Sequence, residues 1–420
     1  MAEIGDLRSG GLELRTVQMN QQEFPEFDWS AAAVEAAAQF GTPCYVFSWQ
    51  RVMHALHVLS ALKGGIPISH WLSLKSQPLR RLVQEWRSLD AGIEVVSEFE
   101  LRAALNEGFS PEHILVNGVG KHKWMADLAV PGLRVNFDSL EEIGQLAGVA
   151  ARVGWRVGLR LAVKKQVDPD EPSFFSQFGM SSAEACVAVK ALRVAGATLE
   201  TAHFHLRSNV PLANDYSEAL TELALRCQDA GFVPRFVDCG GGLPCPGDDL
   251  PRDAQQTFNL EDFAEVLSSG VRAFPAVEEI WLENGRFVTG RAGVLVLRVV
   301  DIKDRPECRY IICDGGRTNH ALVSDWERHD VFLIPARSGQ LRLTTLCGPT
   351  CMAFDRLCRL QFPDDVQVGD LLVWQNAGAY HIPWETRFSH GLAPVVWIDS
   401  NDRMSLVRQR ETFSEWWNSR

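Results

Sequence analysis

The chain has no run of about 18 apolar residues, so no membrane-spanning helix is expected. It has no excess of positive charge. Its 41 Lys and Arg stand against 53 Asp and Glu, for a net charge of −12 and a pI near 5.4. That balance argues against bulk attraction to nucleic acid or to an anionic membrane. The opening Met-Ala-Glu-Ile-Gly-Asp lacks a basic region followed by an apolar one. No secretory signal is expected, and the expected location is the cytoplasm. The ten cysteines, at 44, 186, 227, 239, 245, 308, 313, 347, 351 and 358, include no C-x-x-C pair. They read as free thiols rather than as a disulfide framework, and no metal centre is expected. There is no internal repeat and no low-complexity tract.

What is present is an ordinary globular composition, 46% hydrophobic and 22% charged. Its 420 residues, at roughly 150 per domain, suggest about two to three domains. Residues 1–27 are polar and weakly patterned. Asp28 and Ser30 are candidate N-caps for an Ala-rich helix at about 30–40, which Gly41 and Pro43 stop. A short strand, Cys44–Ser48, leads into an amphipathic helix at about 49–63. Eight β-rich runs follow, near 66–74, 93–97, 114–117, 133–137, 155–163, 199–206, 233–239 and 278–283. Helical patterns such as 139–152 and 213–230 separate them. The count fits a (β/α)8 barrel, with an open doubly wound sheet as the alternative. After about 286 the long helices stop, and runs such as GVLVLRVVDI, DLLVWQN and APVVWID predict an all-β domain. The expected division is an N-terminal segment, 1–43, packing with the β domain, a barrel at 44–285 and the β domain at 286–420. Long loops at 164–179 and 243–259 are candidate lids.

In a parallel barrel the reactive groups belong at the carboxyl ends of the strands. Lys75 ends the first run, His205 the sixth, Gly240-Gly241-Gly242 follow the seventh, and Glu283 ends the eighth with Gly285 and Arg286 just after it. Taken singly these read as a loop lysine, a core histidine, a turn and a surface ion pair. Together they describe one ligand. A phosphate would sit on the glycine loop near Arg286, a lysine could form a Schiff base with an aldehyde, and a carboxylate could hold a ring nitrogen protonated. Those demands describe pyridoxal 5′-phosphate.

The chain also resembles the fold-type III, alanine-racemase-like decarboxylases that act on ornithine, diaminopimelate or arginine. The resemblance covers roughly residues 40–400. It is carried in order by SLKSQ, GIEVVSEFEL, NFDSLEEI, GLRLAV, SQFGM, HFHLRSN, DCGGGLP, ENGRFV, CGPTCMAFDRL and GDLLVWQNAGAY. It implies Lys75 as the Schiff-base lysine, His205 stacked on the ring, Ser208 on the phosphate, and Gly240, Gly241 and Gly242 cradling that phosphate with Arg286. It further implies Glu283 on the pyridine nitrogen, Tyr380 at the phosphate or ring, and Glu94 and Arg160 near the cofactor. Cys351 and Asp355 would come from the β domain of a partner subunit, so a homodimer with shared sites is implied. Cys351 would protonate Cα after carbon dioxide leaves.

Departures from the pattern fall where substrate is recognised. Met352 stands where ornithine- and diaminopimelate-type members carry an acid, and a thioether cannot pair with an ammonium. Arg207 replaces a glycine, Gln77 an asparagine and Asn284 a proline. The expectation is therefore a decarboxylase whose substrate is not a standard dibasic amino acid. Met352, Asp355 and Arg207 are candidates for substrate contact. A racemase or epimerase on the same fold, and a non-catalytic paralogue, are the competing readings.

Overall fold

The computed structural model describes residues 27–164, 176–245, 258–320 and 329–419. Most of the two expected lid loops, and Asp325 and Glu327, two acids of the 314–330 stretch that could replace the one missing at Met352, lie outside the described residues. Among the described residues no helix is long and apolar enough to cross a membrane.

The first strand, β1 (Cys44–Ser48), is buried along its whole length. It pairs antiparallel with a later strand at Val294–Val296 and parallel with one at Val395–Ile398. It therefore belongs to the β domain and not to the barrel in which 44–48 was expected. The physical reason is its two covered faces. Cys44 and Val46 pack with Trp29, Ala33, Ala36 and Ala37 of the helix Ser30–Phe40, while Tyr45 and Phe47 join the main core. That first helix is N-capped at Trp29, and Asp28 contributes by accepting the Ser30 N–H at 2.8 Å. The next helix, Trp49–Ser60, ends earlier than its pattern suggested.

The barrel is closed, which excludes the open sheet. Its strands are β2 (Ile68–Ser73), β3 (Ile93–Val95), β4 (Ile114–Val116), β5 (Arg134–Phe137), β6 (Arg156–Arg160), β7 (Thr198–His203), β8 (Phe236–Asp238) and β9 (Glu279–Asn284), with β9 pairing β2. The helices between them start and stop on local signals. Ser139 and Ser181 cap Leu140–Val153 and Ser182–Ala195, and left-handed Gly154 and Gly196 end them.

Because side chains alternate across a strand, each barrel strand sends every second residue inward. Ile93, Val95, Ile114, Val116, Val135 and Val157 join the core under the helices. Trp71, Leu115, Phe236 and Trp281 form a separate apolar cluster in the interior. One step further along the same strands the inward residues turn polar: Ser73, Glu94, Asn117, Asn136, Arg160, His203, Asp238 and Glu283. These eight cap the plug at the carboxyl ends of the strands.

The β domain is a nine-stranded sheet. It adds β10 (Gly293–Asp304), β11 (Arg309–Cys313), β12 (Val331–Ile334), β13 (Leu341–Cys347), β14 (Arg356–Pro363), β15 (Leu371–Trp374), β16 (Val395–Ile398) and β17 (Met404–Arg408). The turn after β15 carries residues 378–380 back to the barrel. There the Tyr380 N–H donates to Ser76 O at 2.7 Å and Gln77 Nε2 to Gly378 O at 2.7 Å.

Candidate active site

The polar cap of the barrel floors a cleft of about 480 Å³, open to solvent. It is lined by Ser73, Lys75, His205, Ser208, Gly241, Gly242, Glu283, Gly285, Arg286 and Tyr380, together with Asn209, Leu243, Asn284 and Phe287. Lys75 sits in the single 3-10 turn that follows β2. Its side chain keeps 38% of its exposure, and its Nζ donates to Glu94 at 2.9 and 3.1 Å. Burial alone would lower the lysine pKa; the carboxylates of Glu94 and Glu283 and the nearby Tyr380 carry it above the ordinary value instead. Glu94 is fully buried and also accepts from Ser73 Oγ at 2.6 Å and Asn117 Nδ2 at 3.2 Å. It aims the lysine into the cleft and lies behind the lining.

On β9, the strand paired with β2, Glu283 accepts from Asn117 and lies 3.4 Å from His203 Nε2. Burial, then the carboxylates of Asp238 and Glu94, push its pKa well up. Asp238 is pushed up to about 7, first by burial, although it accepts from the Gly240 N–H at 3.0 Å and Asn136 Nδ2 at 2.9 Å. This pair of buried carboxyls resists holding two negative charges, and a cation brought against Glu283 would relieve it. His205 is pulled down to about 3 by burial and then by the Arg160 and Lys75 cations, so it presents a neutral ring. Arg160 lies behind the lining, 3.5 Å from Asp138 and over the Phe178 ring at 4.5 Å.

The three glycines divide their work. The Gly240 N–H is spent on Asp238 and the Gly241 N–H on His205 Nδ1 at 3.1 Å. The expectation that all three cradle a phosphate therefore narrows. Gly240, with φ +66, lets the chain pass under His205, where a Cβ would lie 2.7 Å from Nδ1. Gly241 and Gly242 face the cleft, and Gly242, with φ +107, turns there beside the Arg207 carbonyl. Opposite them the Arg286 guanidinium lies over the Tyr380 ring at 4.7 Å. Tyr380 holds φ +63, a left-handed backbone that costs a non-glycine residue about 1–3 kcal/mol. Its bond to Ser76 O holds that geometry beside Lys75.

A lysine, a buried carboxyl, a neutral imidazole, and a glycine turn with an arginine, all lining one cleft, fit pyridoxal phosphate. Gly241 lets the loop pack directly on β9, since a Cβ there would meet the Glu283 backbone carbonyl at 2.5 Å.

Besides Glu94, Arg160 and Gly240, which are not among the lining residues, four more predicted residues do not line this cleft. Cys351 is exposed and Met352 half-buried on the turn between β13 and β14. Arg207 directs its Nε to the neighbouring Ser208 O at 3.2 Å. Asp355 was expected to touch substrate, but both its oxygens are engaged within the chain. They accept from the Arg317 N–H at 2.8 Å, the Thr350 N–H at 3.0 Å and Thr350 Oγ at 2.6 Å. Asp355 is a loop-holding residue, only 3% exposed. Ser73, Asn117, His203 and Asp238 were not singled out from sequence. Their signal was a polar residue at an inward position of an otherwise apolar strand.

A family profile described as pyridoxal-dependent decarboxylase, pyridoxal binding domain, matches residues 53–290. The diaminopimelate decarboxylase of Zymomonas mobilis is 25% identical over 91% of this chain and 93% of its own length. That of Actinosynnema pretiosum is 30% identical over 90% of this chain and 89% of its own. In fold, the chain is similar to diaminopimelate decarboxylase from M. jannaschii, with a TM-score of 0.78 at 23% identity over 91% and 93% of the two chains.

Proposed function

This chain belongs to the pyridoxal-dependent decarboxylases, and from that premise we propose how its own residues carry out the α-decarboxylation of an amino acid. The cofactor is pyridoxal phosphate. When bound, it supplies an electron-accepting ring conjugated to the substrate α-carbon. Lys75 would hold the cofactor through its Nζ, which Glu94 keeps aimed into the cleft. Glu283 would keep the ring nitrogen protonated. Neutral His205 would stack on the ring. Gly242, Ser208, Arg286 and Tyr380 would hold the phosphate, and Arg160 would add a cation behind the ring. The observation that carries this reading is that Lys75 and Glu283 line one cleft together with the glycine turn and Arg286.

Carbanion protonation needs an acid within hydrogen-bond reach of Cα. Cys351 fills that role in our reading from a partner chain, as one half of a cytoplasmic homodimer. Its support is exposure on a turn that also carries Phe354, 62% exposed, beside the Arg317 guanidinium. In that arrangement Cys351 Sγ delivers the proton to Cα, and Met352 faces the far end of the substrate.

Two substrate readings meet here. The relatives that span about nine-tenths of this chain carry the name of a dibasic amino acid, diaminopimelate. The expectation that dibasic substrates are excluded has only Met352 behind it, and those names run against it. Our first reading is therefore a dibasic amino acid; Met352 favours a second, with a neutral or anionic far end. The deciding experiment is kcat/KM for diaminopimelate, lysine, ornithine and arginine against neutral and acidic amino acids. A dibasic preference above about tenfold, or ~1.4 kcal/mol, establishes the first reading. A neutral or acidic preference, with dibasic activity raised by Met352→Glu, establishes the second. Carbon dioxide from none of them overturns the decarboxylase assignment of this cleft.

A further inference from the structure

Outside the cleft, on the far side of Tyr380, three histidines from separate stretches of the chain meet. His320 ends the short helix Arg317–His320, His329 lies two residues before β12, and His381 follows Tyr380. Their ring centroids are 4.6, 4.8 and 5.0 Å apart. His320 and His381 are buried and His329 half-buried. One ring nitrogen from each lies within 4.8 Å of the other two. Trp374 closes one side, 5.0 Å from His320.

The hydrogen bonds assign the tautomers. A carbonyl can only accept, so His381 Nδ1 must donate to Ala379 O at 3.0 Å and His329 Nδ1 to Gln375 O at 2.9 Å. Each of these rings then carries its lone pair on Nε2. His381 Nε2 faces His320 Nδ1 at 2.6 Å. A neutral His320 must donate there, which leaves its own lone pair on Nε2 as well. An imidazole whose Nδ1–H is tied to a backbone carbonyl, as in His329 and His381, has the outer-shell arrangement of a metal-binding histidine, and His320 meets His381 Nε2 through its Nδ1. Burial, followed by the neighbouring imidazoles, keeps His320 and His381 well below the usual histidine pKa.

We propose that His320, His329 and His381 form a three-imidazole site for a divalent first-row cation of the zinc class. Imidazole nitrogens suit that class, and the set lacks the oxygen ligands that calcium or magnesium require. A tetrahedral zinc, with Zn–N of about 2.0–2.1 Å, brings its nitrogens to about 3.3–3.4 Å of one another. Nitrogens now within 4.8 Å reach that spacing with shifts of under about 1 Å each. The cation replaces the hydrogen bond between His320 and His381: the His320 proton moves from Nδ1 to Nε2, the Nδ1 lone pair becomes the ligand, and solvent takes the fourth position. Its role is structural. It ties the helix Arg317–His320 and the approach to β12 to the turn that holds Tyr380 against the cofactor cleft.

The test uses the full-length holoenzyme, stripped with a chelating resin and with its cysteines alkylated, so that thiolates do not contribute. Zinc is titrated against a chromophoric chelator, and cobalt(II) is read by its visible d–d bands. The expected result is one zinc per chain, a tetrahedral cobalt spectrum, and a raised Tm with zinc. In His329→Asn the affinity should fall by more than about 100-fold, beyond the 10–100-fold that loss of one supporting hydrogen bond costs. His329 is the half-buried member, so this variant preserves the core if His320→Ala or His381→Ala fails to fold; retained cofactor absorbance verifies that. No stoichiometric zinc in the wild type, an octahedral cobalt spectrum, or an unchanged affinity in His329→Asn overturns the proposal.

Discussion

At the cleft, single carboxyls decide how charge is arranged. Glu283 and Asp238 are buried within one hydrogen-bonded group; the Asp238 carboxylate raises the cost of ionising Glu283, while for Asp238 that cost comes from burial and Glu94 and is eased by a hydrogen bond from Glu283. Glu283→Gln removes the group that keeps the ring nitrogen protonated, and kcat should fall by about 10²–10⁴ with the cofactor still bound, as stopped-flow and absorbance measurements would read. Asp238, pushed up to about 7 by burial first, has a stability signature of its own. Between the ordinary carboxyl pKa and about 7 the native state holds a proton that the unfolded chain has lost. Stability is therefore fully present below that window and declines as pH rises through it. The Tm of the cofactor-free protein should fall from pH 5 to pH 8 more steeply than that of Asp238→Asn; parallel curves would contradict the assignment. Lys75, Glu283 and the glycines were legible from sequence because each follows or ends a strand, where barrel chemistry collects. Ser73, Asn117 and His203 were not, because their importance lies in facing inward beside one another. A pairing register decides that, and composition does not reveal it.

At the scale of elements, caps and turns carry the barrel. The helix Ser182–Ala195 begins with a full capping box between Ser181 and Glu184. Ser181→Ala should cost about 1 kcal/mol, measured by urea denaturation, with activity at saturating cofactor unchanged. The turn at Gly242 is less tolerant. With φ +107 and the Arg207 carbonyl 2.4 Å from the position of a Cβ, Gly242→Ala should weaken cofactor binding at least tenfold while the far-UV spectrum holds. Unchanged cofactor affinity would show that this turn does not approach the phosphate. Most barrel strands were readable as runs of β-branched residues between helical patterns, because that signal is local. The placement of Cys44–Ser48 was not, since its partners, at Val294–Val296 and Val395–Ile398, lie far along the chain. Asp355 shows the same limit in a loop: a carboxyl in a suggestive motif proved to be committed to the Arg317 and Thr350 backbones.

For the whole molecule, the open question is assembly. One chain brings Lys75, Glu283, Arg286 and Tyr380 to a single cleft but leaves Cys351 exposed elsewhere. If a partner supplies Cys351, mixing inactive Lys75→Ala with inactive Cys351→Ala should restore part of the activity, because some heterodimers then hold one intact site. No recovery despite demonstrated subunit exchange would assign Cys351 another role. A surface completed only by a partner would leave no periodicity in the sequence; in the single chain, Cys351 and Phe354 are exposed. The central claim, that this cleft removes the α-carboxylate of an amino acid with its cofactor on Lys75, is tested most directly with carboxyl-labelled amino acids and the purified holoenzyme. The account predicts labelled carbon dioxide and the corresponding amine in equal amounts, abolished in Lys75→Ala. Loss of optical rotation with mass and label retained, as a racemase would give, or carbon dioxide release undiminished in Lys75→Ala, would contradict it.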